Sequence, residues 1–123
     1  MSANGRALYR AEDGLFYVTA RVNGVPVKFL IDTGATMVVL TPADAKRIGI
    51  APDAAAVTQE METAAGSSAV RSLTLGEVEV AGRNVADVQA AILQRGLGVS
   101  LLGQNLLSRL GAITLSGDEM HIG

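Results

Sequence analysis

Apolar residues fall at every second position from Phe16 to Val22, with Tyr17, Thr19 and Arg21 between them. The same alternation returns at Val25, Val27, Phe29 and Ile31. Period two is the mark of a strand with one buried face. Between the runs stands Asn23-Gly24, a dipeptide suited to a two-residue turn whose twist matches paired strands. The pattern predicts a hairpin whose second strand ends at Asp32. After Thr33-Gly34-Ala35-Thr36-Met37, the continuous apolar run Val38-Val39-Leu40 begins. This reads as strand, short turn, strand, with both strands in a core.

Thr41-Pro42 opens a short helix, with Thr41 as N-cap, Pro42 at the first helical position, Asp44 able to reach back to the cap, and Gly49 closing it. Residues 51–60 read as a loop or irregular strand. Residues 61–70 read as a hairpin with a tip of small residues. Further strands are expected at Leu73 and Leu75, at Val78 and Val80, and at Val85, Val88 and Ile92, with turns at Gly76 and at residues 81–84. Residues 95–98 form a glycine-containing connector. Val99-Ser100-Leu101-Leu102-Gly103 is a second apolar run ending in glycine. Gln104 to Leu110 has helical spacing, with Leu106, Leu107 and Leu110 on one face, and Gly111 stops it. Ile113, Leu115, Met120 and Ile122 predict a last pair of strands around residues 116–118. Residues 1–14 are weakly patterned, an extension or added strand with a turn at Asp13-Gly14, before a domain over 15–123. The chain is expected to be all-β, with two short helices.

Composition narrows the chemistry. The 123 residues suffice for one domain and one core. Aromatics make up only 3%, so that core must be aliphatic. The net charge of −2, with scattered basic residues, gives no nucleic-acid footprint. Cysteine is absent, which removes disulfides and thiolate chemistry without discriminating cytoplasm from periplasm. No run approaches the ~18 apolar residues of a membrane span. The first five residues contain no apolar signal core. The protein is expected to be cytosolic, or a soluble piece of a longer one.

Carboxylate chemistry remains. The chain has one histidine, so no serine has a ready base and a dedicated metal site is not expected. His121 reads as a surface residue. Asp32 is the one acid in a cleft-forming context; the others, Asp44 among them, read as solvated surface charges. Gly34 permits a tight turn and brings its N–H toward the carboxylate, and Thr33 offers a hydroxyl for a second bond. An ordinary turn is the competing reading, since Asp, Thr and Gly are all common turn residues. A lone carboxylate is poorly equipped for peptide hydrolysis. Two held about 3 Å apart share one proton, so that one serves as base and the other as acid. A two-fold dimer would place Asp32 against its own copy.

Leu30-Ile31-Asp32-Thr33-Gly34-Ala35-Thr36 resembles the active-site loop of retropepsin-like aspartic proteases. Leu101-Leu102-Gly103-Gln104-Asn105-Leu106-Leu107 is similar to their second signature. The order is right, and the resemblance spans about Phe16 to Ile122. The capped helix after Leu40 makes the chain resemble bacterial single-domain members rather than shorter viral ones. The resemblance implies a closed β-barrel, an obligate homodimer and an endopeptidase of polypeptides needing no metal or other cofactor. It makes Asp32 the catalytic acid/base. Thr33 would grip its counterpart, Gly34 would bind substrate backbone, and Ala35 and Thr36 would complete the loop. Gly103, Gln104 and Asn105 would support that loop. Thr63, Ala64, Ala65, Gly66 and Ser67 would belong to a flap acting through its backbone. Met37, Val39 and Leu97 are candidate pocket walls. Retroviral proteases have an Asp–Arg pair where Thr36 and Gln104 stand, so an uncharged Thr36–Gln104 hydrogen bond is expected here. Family members of this kind imply an N-terminal membrane anchor and a periplasmic location; this sequence shows no such anchor.

Three functional readings follow: a homodimeric aspartic endopeptidase, a retropepsin-like dimerisation or peptide-binding module that cleaves nothing, and a small structural barrel with a coincidental Asp-Thr-Gly.

Overall fold

In the computed structural model, which describes residues 6–50, 56–63, 66–94 and 96–123, the chain begins with β1 (Arg6–Tyr9), β2 (Tyr17–Val22), β3 (Val25–Ile31), β4 (Val38–Leu40) and helix α1 (Pro42–Ile48). Then follow β5 (Ala56–Thr63), β6 (Gly66–Val80), β7 (Arg83–Leu93), β8 (Ser100–Leu102), helix α2 (Gln104–Leu107), β9 (Ile113–Ser116) and β10 (Glu119–Ile122).

The predicted hairpin is present. β2 and β3 pair antiparallel out to Val22 opposite Val25. Asn23 and Gly24 turn the chain at φ 49° and 85°, values glycine adopts freely and asparagine tolerates. From this hairpin the larger sheet runs β2-β3-β8-β4-β7-β6-β5. The far end of β6 returns to β2, with Arg21 opposite Glu79 and Val22 opposite Val78. Six strands therefore close into a barrel, and β5 extends from it as an arm of the β6 hairpin. The smaller sheet is β1-β10-β9.

Why two stretches are apolar without alternation is now clear. Val38 and Leu40 of β4 join the barrel core, and Met37 and Val39 pack on a second cluster of Val70, Ala91 and Leu93. β7 divides likewise, sending Ala90 and Ile92 to the core and Ala91 and Leu93 to the second cluster. The core includes fully buried Phe29, Leu40, Leu75, Leu102, Leu106, Leu107 and Leu110. Each such side chain contributes about 1.5–3 kcal/mol of burial. Leu106, Leu107 and Leu110 all point inward as their spacing predicts, although α2 is a single turn followed by a hydrogen-bonded turn, and Gly111 ends it at φ 88°.

One local expectation changes, and two open readings gain detail. Gly76 is not a turn: β6 runs through it, because β7 pairs along most of that strand and β2 takes its end. The Asn23 side chain also accepts the Glu77 N–H at 3.1 Å, seating the β2–β3 turn beside Gly76. Residues 56–60 lie in β5, whose pairing with β6 shifts register between Val57 and Gln59, while 51–55 lie outside the described residues. Part of the weakly patterned N-terminus forms β1, which gains its partner only at the other end of the chain, in β10. Among the described residues, no helix is long and apolar enough to cross a membrane.

Candidate active site

β3 pairs in parallel with β8, Ile31 opposite Leu102. The chain then leaves the sheet, and the Asp32 N–H makes a last bond to the Leu102 carbonyl at 3.1 Å. Asp32 thus sits where the barrel strand stops, half-buried. Its Oδ1 accepts the Gly34 N–H at 3.0 Å. Ala35 N–H closes the turn onto the Asp32 carbonyl at 3.1 Å. A Cβ on Gly34 would stand 3.3 Å from that same Oδ1, so a glycine here lets the backbone approach the carboxylate. The Thr33 hydroxyl does not supply the expected second bond: Thr33 is exposed, and among the described residues its side chain has no hydrogen-bond partner within the chain.

The loop rests on α2. The first helical N–H groups have no partner inside a helix. Here Gln104 N–H donates to the Ala35 carbonyl at 2.8 Å and Asn105 N–H to the Thr36 carbonyl at 3.0 Å. Gly103, just before the helix, is buried so tightly that a Cβ would fall 2.2 Å from the Met37 carbonyl oxygen. Asn105 spans two strands: its Oδ1 accepts the Val38 N–H at 3.0 Å and its Nδ2 donates to the Gln89 carbonyl at 2.7 Å.

The expected Thr36–Gln104 side-chain bond is absent. The Gln104 amide donates instead to the Thr33 carbonyl at 3.0 Å. The reason is geometric: backbone bonds at 35 and 36 already fix the helix against the loop, leaving the side chain of 104 alongside the carbonyl of 33.

Asp44 was expected to be solvated, and to reach back to the helix cap. Its backbone N–H does donate to Thr41 Oγ1 at 3.1 Å. Its carboxylate, with only 19% of the side chain exposed, accepts the Ser100 hydroxyl at 2.5 Å. Ser100 Oγ in turn accepts the Thr41 N–H at 3.1 Å. Ser100, fully buried in β8, therefore completes the capping box from 59 residues away in sequence. No local signal at Ser100 announces this role; only the excess acid at a helix start hints at a partner.

Beside the Asp32 loop lies a cavity of about 360 Å³, bounded by Gly34, Ala35 and Thr36 on one side and by Met37, Val39, Val70, Leu93 and Leu101 on others. Met37 and Val39 are thus walls, as expected. Leu97 packs on the same apolar cluster without bordering the cavity. Of the residues expected in the flap, Thr63 faces Gly66 and Glu62 faces Ser67 at the end of the β5–β6 hairpin. Ala64 and Ala65 lie outside the described residues. His121 is exposed, with its Nε2 3.4 Å from Glu119, as its surface reading expected.

Comparison with known proteins places this geometry. Residues 18–109 match the family described as "gag-polyprotein putative aspartyl protease". The uncharacterized protein RP867 of Rickettsia prowazekii is 34% identical over 109 residues, which are 89% of this chain and 47% of that protein. An uncharacterized protein in the cobV 5′ region of Sinorhizobium sp. is 31% identical over 116 residues, 94% of this chain and 50% of the relative. The chain thus spans about half the length of the curated relatives it matches. The crystal structure of a retropepsin-like aspartic protease from Rickettsia conorii superposes with a TM-score of 0.87 at 31% identity, covering 96% of this chain and 89% of that one. EIAV protease shares the fold at a TM-score of 0.66 and 23% identity, over 81% of this chain and 91% of its own. A closed six-stranded barrel, an Asp-Thr-Gly turn held on a glycine-led helix, and these matches agree: the chain belongs to the gag-polyprotein aspartyl protease family and has the retropepsin-like fold.

Proposed function

We propose that this protein is an aspartic endopeptidase whose active site forms only in a homodimer, with Asp32 of each copy facing the other across a two-fold axis. The observation that carries this reading is the incompleteness of the Asp32 turn. One carboxylate, held by one N–H, stands in a loop that borders an apolar cavity from Gly34 onward, beside a threonine hydroxyl that has no partner among the described residues. A two-fold axis passing by Asp32 supplies both missing partners at once, a second carboxylate and a second Thr33.

Two carboxylates at that distance hold a single proton between them. The ionised one takes a proton from a water as the water attacks the peptide carbonyl. The protonated one donates to the carbonyl oxygen as the tetrahedral intermediate forms. Collapse of the intermediate passes a proton to the leaving nitrogen. Gly34, lacking a side chain, leaves its carbonyl and the adjoining backbone open to an extended peptide, which adds as a strand. The hairpin ending at Thr63, Ala64, Ala65, Gly66 and Ser67 serves as the flap over that strand. The cavity walled by Met37, Val39 and Leu101 accepts an apolar substrate side chain, since among the described residues nothing charged borders it.

Asp32→Asn is the decisive variant. The amide still accepts the Gly34 N–H, so folding is retained, while proton sharing is lost. Cleavage of unfolded casein across acidic pH should fall by about 1,000-fold or more. Undiminished cleavage by Asp32→Asn would overturn the proposal. A folded wild-type dimer that cleaves nothing would favour a peptide-binding module on the same scaffold.

A further inference from the structure

The β6–β7 ladder has a cavity on each of its faces. Val70 stands opposite Leu93, Arg71 opposite Ile92 and Ser72 opposite Ala91. Directly opposed residues share a face, and successive pairs alternate between faces. The first and third pairs border the cavity beside the Asp32 loop. The middle pair borders a second cavity, of about 380 Å³, on the other face. One short run of ladder is therefore the wall between the two.

Helix α1 closes the second cavity from outside. Pro42, Ala45 and Lys46 line it at helical spacing, and Ile50 follows the Gly49 cap. The Ile50 N–H donates to the Ala45 carbonyl at 3.0 Å, which fixes that wall. The lining divides by chemistry. Pro42, Ala45, Ile50 and Ile92 are apolar, whereas Lys46 and Arg71 are cationic. Among the described residues, no Asp or Glu borders the cavity. Arg71 is already engaged within the chain. Lys46 is exposed, and its side chain makes no hydrogen bond or ion pair among the described residues. An apolar hollow with a cation at its side fits a molecule with an apolar body and one carboxylate.

We infer that this second cavity binds the C-terminal end of a peptide, an apolar residue bearing a free α-carboxylate, with Lys46 meeting the carboxylate. The inference rests on the endopeptidase reading above. Hydrolysis leaves a new α-carboxylate on the fragment before the cut, and the apolar substrate cavity selects apolar residues near it. The cavity behind the ladder thus suits the enzyme's own product. A product seated there touches the strands that wall the substrate cavity without occupying that cavity.

Amide NMR spectra of the whole chain, titrated with N-acetyl-leucyl-leucine, test it. The acid should shift the signals of Lys46, Ile50 and Ile92. Its C-terminal amide should bind there about 10-fold more weakly, since the charged acceptor is gone. Lys46→Glu should weaken the acid about 10-fold. Lys46→Gln should weaken it in the same direction, and decides the matter if the glutamate variant does not fold. Lys28→Gln, on β3, should leave binding unchanged. Equal binding of acid and amide at these residues overturns the inference, as do shifts confined to Gly34, Thr36 and Met37. Decanoate binding there more tightly than the peptide assigns the cavity to a fatty acid and overturns it too. Casein cleavage is measured on the same preparation. Cleavage without the Lys46 and Ile50 shifts sinks this inference alone. Absence of cleavage counts against the endopeptidase reading, and the product assignment falls with it.

Discussion

The side-chain amide of Gln104 donates to the main-chain carbonyl of Thr33 at 3.0 Å, joining the helix that supports the Asp32 loop to the residue beside the carboxylate. Both groups are neutral. Gln104→Leu should therefore cost about 1 kcal/mol in a urea titration, by the same amount at low and high salt. Gln104→Glu should cost more, since a carboxylate has no hydrogen to give and faces a carbonyl oxygen.

Two glycines near the site should respond differently to alanine. At Gly103 the added Cβ would lie 2.2 Å from the Met37 carbonyl oxygen, which is backbone and cannot swing aside. Gly103→Ala should destabilise by about 3 kcal/mol or more, seen as a lowered urea midpoint. At Gly34 the Cβ would meet only a carboxylate oxygen, at 3.3 Å. Gly34→Ala should keep a near-native midpoint and lose casein cleavage, because the displaced group is the Asp32 carboxylate itself.

Removing the Ser100 hydroxyl leaves the Asp44 carboxylate and the Thr41 N–H without their shared partner. Ser100→Ala should cost about 1–3 kcal/mol, read from thermal or urea unfolding. Asp44→Asn should cost less, since an amide oxygen still accepts from Ser100.

Tyr17 donates a short hydrogen bond to Asp13. That bond, with the Leu15 N–H as a second donor, holds the Asp13 carboxyl below its ordinary pKa of 3.8. The same bond holds the Tyr17 phenol above its ordinary 10.0. A depressed acid stabilises the fold above its unfolded pKa and ceases to as pH falls through the folded one; a raised phenol stabilises below its unfolded pKa and ceases to as pH rises. The stability difference between wild type and Tyr17→Phe should thus persist from neutrality into mild acid, close below pH 3.8, and close again above pH 10.0. Unfolding midpoints across that range check it. The Lys28 ammonium over the Tyr17 ring, 4.5 Å from its centre, should survive the exchange.

Legibility in the sequence followed the range of the interaction. The β2–β3 hairpin, the Thr41 cap, the α2 leucines and the placing of Asp32 at a strand tip are set by neighbours within a few residues, so spacing alone discloses them. Gly76 looked like a turn because the strands that carry β6 past it come from β2 and β7. Asp44 looked solvated because its partner, Ser100, is 56 residues away. Gln104 donates to the carbonyl of Thr33 and not to the expected Thr36 side chain, since residue identity names a donor and only the backbone path decides what lies within its reach.

Of the three tethers between α2 and the Asp32 loop, two are amide hydrogens of the main chain, at 104 and 105. Every amino acid but proline brings that atom. The loop's shape is consequently indifferent to most exchanges at position 104, and proline is the exchange most damaging there. A designer who wishes to alter what the cavity admits can rebuild Met37 or Val39 without touching the anchorage of the carboxylate, because the anchorage is written in atoms common to nearly all residues.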